Sequence, residues 1–130
     1  MELFNKIKMM WNKRYTKVYI SGKITGLRES EYRSNFNNAE KGLRLLGYTR
    51  IVNPIKLSDK IIKKLKTPVN NIAYEVFLTK DIEELCKCNL VVQMANWKDS
   101  NGAIFEKEVA DKLKIKVITV KSLIESGSLK

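Results

Sequence analysis

The chain lacks residues on which many functional sites depend. None of its 130 residues is histidine, and its two cysteines, Cys86 and Cys88, are separated by a single residue. Two thiolates cannot complete the four-ligand shell of a structural zinc site, and cysteines this close rarely form a disulfide. The sequence therefore predicts no metal site, and two reduced thiols in or near the core of a cytoplasmic protein.

Long apolar runs are also missing. No run approaches the roughly 20 residues that a membrane-spanning helix requires, and the N-terminus lacks the pattern of a secretory signal. Hydrophobic residues make up 44% of the chain and charged residues 30%, which is typical of a globular protein. At this length we expect one domain with a single core, without a membrane span.

Acidic residues are outnumbered by basic ones, 14 against 25, and the formal net charge is +11. Lysines concentrate in a basic N-terminal arm, residues 1–16, and again in residues 56–66. Such a field favours anionic ligands, whether nucleotides, nucleic acid or acidic lipid, although a merely solvated surface explains it equally well. Arginine is sparse, which disfavours specific recognition of nucleic acid.

The arm carries apolar residues at helical spacing, namely Leu3, Phe4, Ile7, Met10 and Trp11. We interpret it as a short helix that packs on the domain or on a partner, or as a basic element at a membrane surface. Packing is the favoured alternative, because a helix this short is marginal by itself.

Strands and helices alternate along the rest of the chain. Strands are predicted at residues 17–21, 48–52, 90–94 and 116–120, and helices at 31–46, 70–86 and 102–113, with a partly helical lysine-rich segment before Pro68 and a last helical turn within 122–130. This alternation predicts an α/β domain over residues 17–130, with an open, mainly parallel sheet of four or five strands and helices on both faces. Ligands then bind beyond the carboxyl ends of the strands, near residues 21–27, 53–55 and 95–102.

Two helices each place a carboxylate on their apolar side. Glu106 projects between Leu113 and Ala110, and Asp81 projects between Phe77 and Tyr74. A buried, unpaired carboxylate is costly, so such a group is usually paired, protonated or exposed to a cavity. One such residue is commonly a salt-bridge partner, whereas two at one sheet edge indicate an acid–nucleophile pair.

Two loops offer seats for a ligand. Residues 21–26 are glycine-rich and follow a strand directly, although they match neither common phosphate-binding motif and a plain turn is an alternative. Asp99, Ser100 and the residues after them supply a helix cap whose free N–H groups suit an anion. Trp97 either enters the core, which is slightly favoured, or forms a wall against which a base stacks.

Four motifs together resemble the nucleoside 2-deoxyribosyltransferase-like superfamily, in particular its small bacterial and phage branch of unknown function. They are Tyr19-Ile-Ser-Gly-Lys-Ile-Thr-Gly, Tyr48…Val52-Asn53-Pro54, Asp81-Ile-x-x-Leu-x-x-Cys88-Asn89 and Trp97-x-x-Ser100-x-Gly102-Ala-x-x-Glu106-x-x-x-Ala110. The match covers roughly residues 17–121, and an aspartate that usually ends the third motif is replaced by Asn89.

The resemblance implies a flavodoxin-like fold and cleavage or transfer at the N-glycosidic bond of a nucleoside or nucleotide. It implies Glu106 as nucleophile, Asp81 as proton donor and acceptor and Tyr19 as the residue that orients the nucleophile. Residues expected to bind substrate are Ser21, Gly22, Lys23, Gly26, Asn53, Trp97, Asp99, Ser100 and Gly102. This chemistry requires no metal or other cofactor, and relatives are commonly homo-oligomers.

Two further functions stay open. The same cleft would also suit a module that binds or senses a nucleotide without turnover. The basic surface would suit a nucleic-acid-binding protein, whose affinity falls steeply with salt.

Overall fold

A computed structural model of the chain describes residues 2–128. Six helices and four strands follow one another in the order α1 (Glu2–Tyr15), β1 (Lys17–Ser21), α2 (Glu29–Leu45), β2 (Arg50–Val52), α3 (Pro54–Leu65), α4 (Tyr74–Leu85), β3 (Leu90–Gln93), α5 (Asn101–Lys112), β4 (Lys116–Thr119) and α6 (Val120–Ser128). Single 3₁₀ turns lie at Val69–Asn71 and Trp97–Asp99.

The four strands form one parallel sheet in the order β2-β1-β3-β4. One face of the sheet carries Val18, Ile20 and Val92, which pack against Phe36 of α2, and α6 joins that cluster through Leu123. The opposite face carries Tyr19 and Val91, which pack against Leu85 of α4 and Ala110 of α5. The predicted α/β fold with helices on both faces is therefore confirmed.

The strand order reverses between β1 and β3, which are neighbours in the sheet but lead into separate crossovers. In open parallel sheets a crevice forms beyond the carboxyl ends of the strands at such a point. We call this side of the sheet the carboxyl edge and the side where the strands begin the amino edge. The loops after β1 and β3 therefore meet at the carboxyl edge.

Element boundaries differ from the predictions in a few places. The predicted helix 70–86 begins only at Tyr74, because Ala73 has extended backbone after a separate 3₁₀ turn. The lysine-rich segment is a complete helix, capped by Asn53, begun by Pro54 and ended by Lys66 in the left-handed region. The predicted strand 48–52 is shorter and spans only Arg50–Val52. The tail is helical from Val120 to Ser128, and the last two residues of the predicted turn lie outside the described part.

The basic arm forms the predicted helix, yet none of the residues of α1 is buried. Its carboxyl end is tied to the start of β2, where the Thr49 hydroxyl donates to the Arg14 carbonyl over 3.0 Å and Arg50 donates to the Tyr15 carbonyl over 3.2 Å. The expected packing of its apolar stripe on the domain therefore does not occur, and packing on a partner stays a prediction.

The thiols have different environments. Cys88 is buried in the core and its Sγ donates to the Glu84 carbonyl, whereas Cys86 is exposed, so the expectation of a core or near-core position was wrong for Cys86. Asn89 has a structural role, because its side chain accepts a hydrogen bond from the Lys17 backbone N–H at the start of β1. Within residues 2–128 no group of three or more cysteine or acidic side chains is placed to hold a metal. None of the described helices is long and apolar enough to cross a membrane.

Candidate active site

Glu106 lies on the face of α5 that contacts the sheet. The Ser100 side chain caps this helix by accepting a hydrogen bond from the Ala103 backbone N–H over 3.1 Å. Ala103 and Ala110, three residues before and four residues after Glu106, are both buried. Because these neighbours are small, the helix approaches the sheet closely and leaves Glu106 only 7% exposed.

Two hydroxyl groups of β1 hold that carboxylate. The Tyr19 hydroxyl donates to Oε2, and the Ser21 hydroxyl donates to Oε1 over 2.7 Å. Tyr19 and Ser21 are two apart on a strand and therefore point to the same face. Burial raises the pKa of Glu106 to about 7, although both hydrogen bonds favour the ionised form. The carboxylate is thus fixed in orientation and more basic than an exposed glutamate.

Asp81 of α4 is the second carboxyl group of this region. Its Oδ1 is buried and has no hydrogen-bond partner among the described residues. Burial, and after it the charge of Glu106, raises the pKa of Asp81 to about 8. Both the absence of a hydrogen-bond donor to Oδ1 among the described residues and the nearby negative charge of Glu106 favour the protonated form of Asp81. Because Glu106 accepts two hydrogen bonds and Asp81 Oδ1 accepts none within residues 2–128, Glu106 is the carboxyl group of the pair that loses its proton more readily.

Both carboxyl groups line a cleft of about 670 Å³ at the carboxyl edge. Helices α2, α3 and α4, with the 3₁₀ turn between α3 and α4, supply an apolar wall, formed by Tyr32, Phe36, Ile55, Ile62, Val69, Tyr74, Phe77 and Leu78. The volume lies within the range of pockets that hold small molecules, and one apolar wall with a few convergent polar groups is typical of such pockets.

The polar side of the cleft is built from two segments. Gly22, Lys23 and Thr25 follow β1, and residues 99–103 contain the beginning of α5. The free N–H groups of a helix start and the ammonium group of Lys23 both favour an anion. This side of the cleft therefore suits a phosphate group.

Gly22 is needed because the loops after β1 and β3 touch each other. A Cβ atom at Gly22 would lie 2.0 Å from Cε of Met94 and 3.3 Å from Oδ1 of Asn96. The same Asn96 oxygen accepts the Lys23 backbone N–H over 3.0 Å, and the Met94 N–H donates to the Ser21 carbonyl over 2.8 Å. The missing side chain thus lets one loop brace the other.

The structure brings most of the sequence-predicted residues together. Those that line the cleft are Gly22, Lys23, Asp81, Asp99, Ser100, Gly102 and Glu106. Tyr19 and Ser21 lie behind Glu106 and reach the cleft only through its carboxylate. Gly26 adopts a positive φ of 89° in the turn after β1 and, as far as residues 2–128 define the cleft, stays outside its lining.

Asn53 belongs to the scaffold rather than to the cleft lining. Its Oδ1 accepts the Ile55 backbone N–H over 3.0 Å, and its Nδ2 donates to buried Glu40 over 3.2 Å. Burial opposes ionisation of Glu40, but hydrogen bonds from Lys56, Asn53 and Arg44 hold its pKa below the usual value. The network fixes the start of α3, which carries part of the apolar wall.

Trp97 is half-buried in the 3₁₀ turn before α5, and the Lys98 ammonium lies 5.8 Å from its ring centre. Within the described part of the chain it belongs neither to the cleft lining nor to the two buried clusters. Both interpretations of Trp97, base-stacking wall and core residue, therefore lack support from its position.

Sequence reasoning missed several residues of the site. Arg33 of α2 and Asp59 of α3 form a two-pronged ion pair of 2.7 and 2.8 Å in the cleft wall. Gln93 is not among the described residues that line the cleft, but it lies beside Ser21 in the sheet, and its Nε2 is buried without a hydrogen-bond partner in the described part of the chain. Tyr74 approaches Gly102, with its hydroxyl 3.3 Å from where a Cβ would stand. These residues come from different elements, so no local pattern indicates that they meet.

Comparison with known proteins agrees with this architecture. Residues 16–119 match a family model described as "Domain of unknown function (DUF4406)". A solved structure of a 2-deoxyribosyltransferase from the psychrotolerant bacterium Bacillus psychrosaccharolyticus superposes with a TM-score of 0.57 and 19% identity, over 79% of this chain and 70% of that chain. No curated protein matches the chain. The resemblance predicted from the motifs is confirmed at the level of the fold.

Proposed function

The chain belongs to the family described as a domain of unknown function (DUF4406), and we propose that its cleft binds a nucleoside or nucleoside 5′-monophosphate and breaks the N-glycosidic bond. The observation that carries the proposal is the pair of buried carboxyl groups in different surroundings, Glu106 held by two hydroxyl groups and Asp81 with an oxygen that has no hydrogen-bond partner among the described residues. Such a division of roles is what glycosidic cleavage by a nucleophile and a proton donor requires.

In the proposed reaction, one oxygen of Glu106 attacks the anomeric carbon of the sugar and the bond to the base nitrogen breaks. The proton of Asp81 passes to that nitrogen, so the base leaves neutral and Asp81 becomes a carboxylate. Water, or the nitrogen of a second base, then attacks the same carbon and releases Glu106. The proton of the attacking water or base passes to the Asp81 carboxylate. Water gives hydrolysis, and a second base gives transfer.

The walls of the cleft suit the two ends of such a substrate. A flat base fits the apolar side, where Phe77 and Tyr74 offer aromatic faces. A 5′-phosphate fits the side formed by Lys23 and the start of α5, where Ser100 and Gly102 lie. Tyr19 and Ser21 act as positioning residues, because they contact Glu106 and not the cleft.

The structural neighbour adds support of a coarser kind. It is a 2-deoxyribosyltransferase described as a biocatalyst for the synthesis of nucleosides. At 19% identity the likeness concerns the fold, so the chemistry proposed here depends on the cleft of this chain.

The test is release of free base from a panel of nucleosides and their 5′-monophosphates, followed by chromatography. We expect Glu106→Gln to lower release by about a thousandfold or more, because the amide cannot form the covalent intermediate. Glu108→Gln is the matched control, since Glu108 is an exposed glutamate of the same helix. Absence of release from every substrate, or equal activity of Glu106→Gln and Glu108→Gln, would overturn the catalytic assignment.

A thermal-shift measurement with the same panel separates catalysis from binding. Stabilisation by a nucleotide without any product would leave the binding half of the proposal standing and favour a sensing or sequestering module. Binding of nucleic acid, homo-oligomerisation and a cytoplasmic location stay predictions. If the protein binds nucleic acid, its affinity for oligonucleotides should fall steeply as the salt concentration rises.

A further inference from the structure

Helix α1 carries an apolar stripe that no part of the described chain covers. Leu3, Phe4, Met10 and Trp11 are 71%, 67%, 68% and 52% exposed, and Ile7 is 44% exposed. At about 100° per residue these five side chains fall on one side of the helix. An exposed contiguous apolar patch of this kind marks an interaction surface.

Basic residues border the stripe. By the same helical spacing, Lys8 lies along one side of it, Lys6 and Lys13 lie along the other, and Arg14 ends it. Glu2 is the single acidic residue among residues 2–15. Long basic side chains next to an apolar stripe can extend toward anionic groups while their stems stay with the apolar surface.

The amino edge of the sheet, to which α1 is tied, is also basic. Three of the four strands begin with a cation, Arg50 in β2, Lys17 in β1 and Lys116 in β4. Glu84 offsets part of this charge, since it lies 3.8 Å from the Lys17 ammonium. The site carboxylates lie at the opposite edge. The apolar stripe and the basic strand starts therefore share one side of the molecule.

We propose that α1 and the amino edge dock on an anionic lipid surface, with the apolar stripe of α1 inserted at the level of the headgroups. A helix with aromatic and aliphatic residues on one face and basic residues around it is typical of such binding. A second copy of the chain fits less well, because the basic borders of two such stripes would face each other with little acidic charge between them. Docking by this edge leaves the cleft open at the opposite edge, and the proposal does not depend on the proposed function.

The experiment is flotation of the full chain with two kinds of vesicle. One contains phosphatidylcholine alone, and the other contains phosphatidylcholine and phosphatidylglycerol in a ratio of roughly 7:3. We expect binding to the anionic vesicles, and we expect the double substitution Phe4→Glu and Trp11→Glu to weaken it about tenfold or more. Since none of the α1 residues is buried, this variant should keep the circular dichroism and melting temperature of the parent.

The matched control is the double substitution Val76→Glu and Ile124→Glu, which changes the charge equally. Both residues have exposed apolar side chains, 43% and 49% exposed. They lie on α4 and α6, which begin away from the amino edge. We expect this control to keep most of the vesicle binding. A second readout is Trp11 fluorescence in a Trp97→Phe background, which leaves one tryptophan of the two in the chain. It should shift to shorter wavelength with anionic vesicles.

Three results would overturn the proposal. They are absence of binding to anionic vesicles at low salt, equal loss of binding in the two double variants, and a stable dimer in sedimentation that only the Phe4 and Trp11 substitutions dissociate. The second result would mean that the net charge of the protein, and not the apolar stripe of α1, explains the binding to vesicles. The third would assign the apolar stripe to another copy of the chain.

Discussion

The two edges of the sheet depart from the usual distribution of residues in opposite ways. At the carboxyl edge, polar groups are buried: Glu106 is 7% exposed and Asp81 has an oxygen without a partner among the described residues. At the amino edge, apolar groups are exposed along α1. Burying carboxyl groups and exposing large apolar side chains both cost folding free energy. The two edges therefore differ in kind: one buries polar groups inside a cleft, and the other exposes apolar groups to solvent.

After the loss expected for Glu106→Gln, the largest effect is expected from changing the protonation of the carboxyl edge. We expect Asp81→Asn to lower the proposed activity about a hundredfold, because an amide cannot supply the proton to the leaving base. The parent should show a bell-shaped profile, rising as Glu106 ionises with a pKa of about 7 and falling as Asp81 loses its proton with a pKa of about 8. The measurement is kcat/KM against pH.

The control for this profile is Glu83→Gln, a change at an exposed residue of the same helix, 58% exposed in its side chain. It should keep both limbs of the bell. If kcat/KM of Asp81→Asn still fell near pH 8, the group responsible for the alkaline fall would not be Asp81.

The same carboxyl groups should make stability depend on pH. Folding raises the pKa of Asp81 from 3.8 to about 8 and that of Glu106 from 4.5 to about 7. A carboxyl group whose pKa is raised by folding contributes its full stabilisation at pH values below its pKa in the unfolded chain. This contribution is lost as the pH rises through its pKa in the folded chain. We therefore expect Asp81→Asn to unfold with a free energy about 2 kcal/mol or more higher than that of the parent above pH 8, and with little gain near pH 4.

Urea unfolding at both pH values checks this expectation, with Glu83→Gln again as control. A gain of equal size at both pH values would mean that the substitution acts by packing and not by titration. In that case the burial of charge at the carboxyl edge would be less costly than the comparison of the two edges implies.

A smaller effect is expected from filling the contact between the two loops of the carboxyl edge. Gly22→Ala should lower the free energy of unfolding by about 1–2 kcal/mol, because its Cβ would lie 3.2 Å from the Met94 Cβ and would displace the end of that buried side chain. Gly42→Ala is the matched control, since nothing lies within 4 Å of a Cβ there and the residue is inside α2. It should stabilise by about 0.5–1 kcal/mol through helix propensity. Equal responses of the two variants in urea unfolding would contradict the close contact at Gly22.

The smallest effect on stability is expected at the amino edge. Phe4→Ser and Met10→Ser should change the free energy of unfolding by less than about 0.5 kcal/mol, because both side chains are more than 60% exposed. The measurement is urea unfolding without lipid. A loss of about 2 kcal/mol or more would show that the stripe of α1 is covered in solution, and the contrast between the edges would then be smaller than the structure indicates.

Much of the site could be predicted from local patterns. Glu106 and Asp81 each stand out on a single helix, and the glycine-rich segment follows a strand visibly in the sequence. Asn53 shows where local patterns fail. Its position after a strand suggested a ligand-binding residue, but its side chain caps α3 and binds Glu40, thirteen residues away on another helix. Nothing near residue 53 in the sequence indicates that partner.

The alternation of strands and helices, the carboxylates on two apolar helix faces and the apolar stripe of α1 could all be predicted from the sequence, because each depends on periodicity within one element. The family resemblance implied that Tyr19 orients Glu106, but the folded chain was needed to show that Ser21, 85 residues before Glu106, also donates to its carboxylate. The tertiary structure also decided that the stripe stays uncovered. Contacts across such separations depend on strand order and on the approach of α5 to the sheet, and no local period records either.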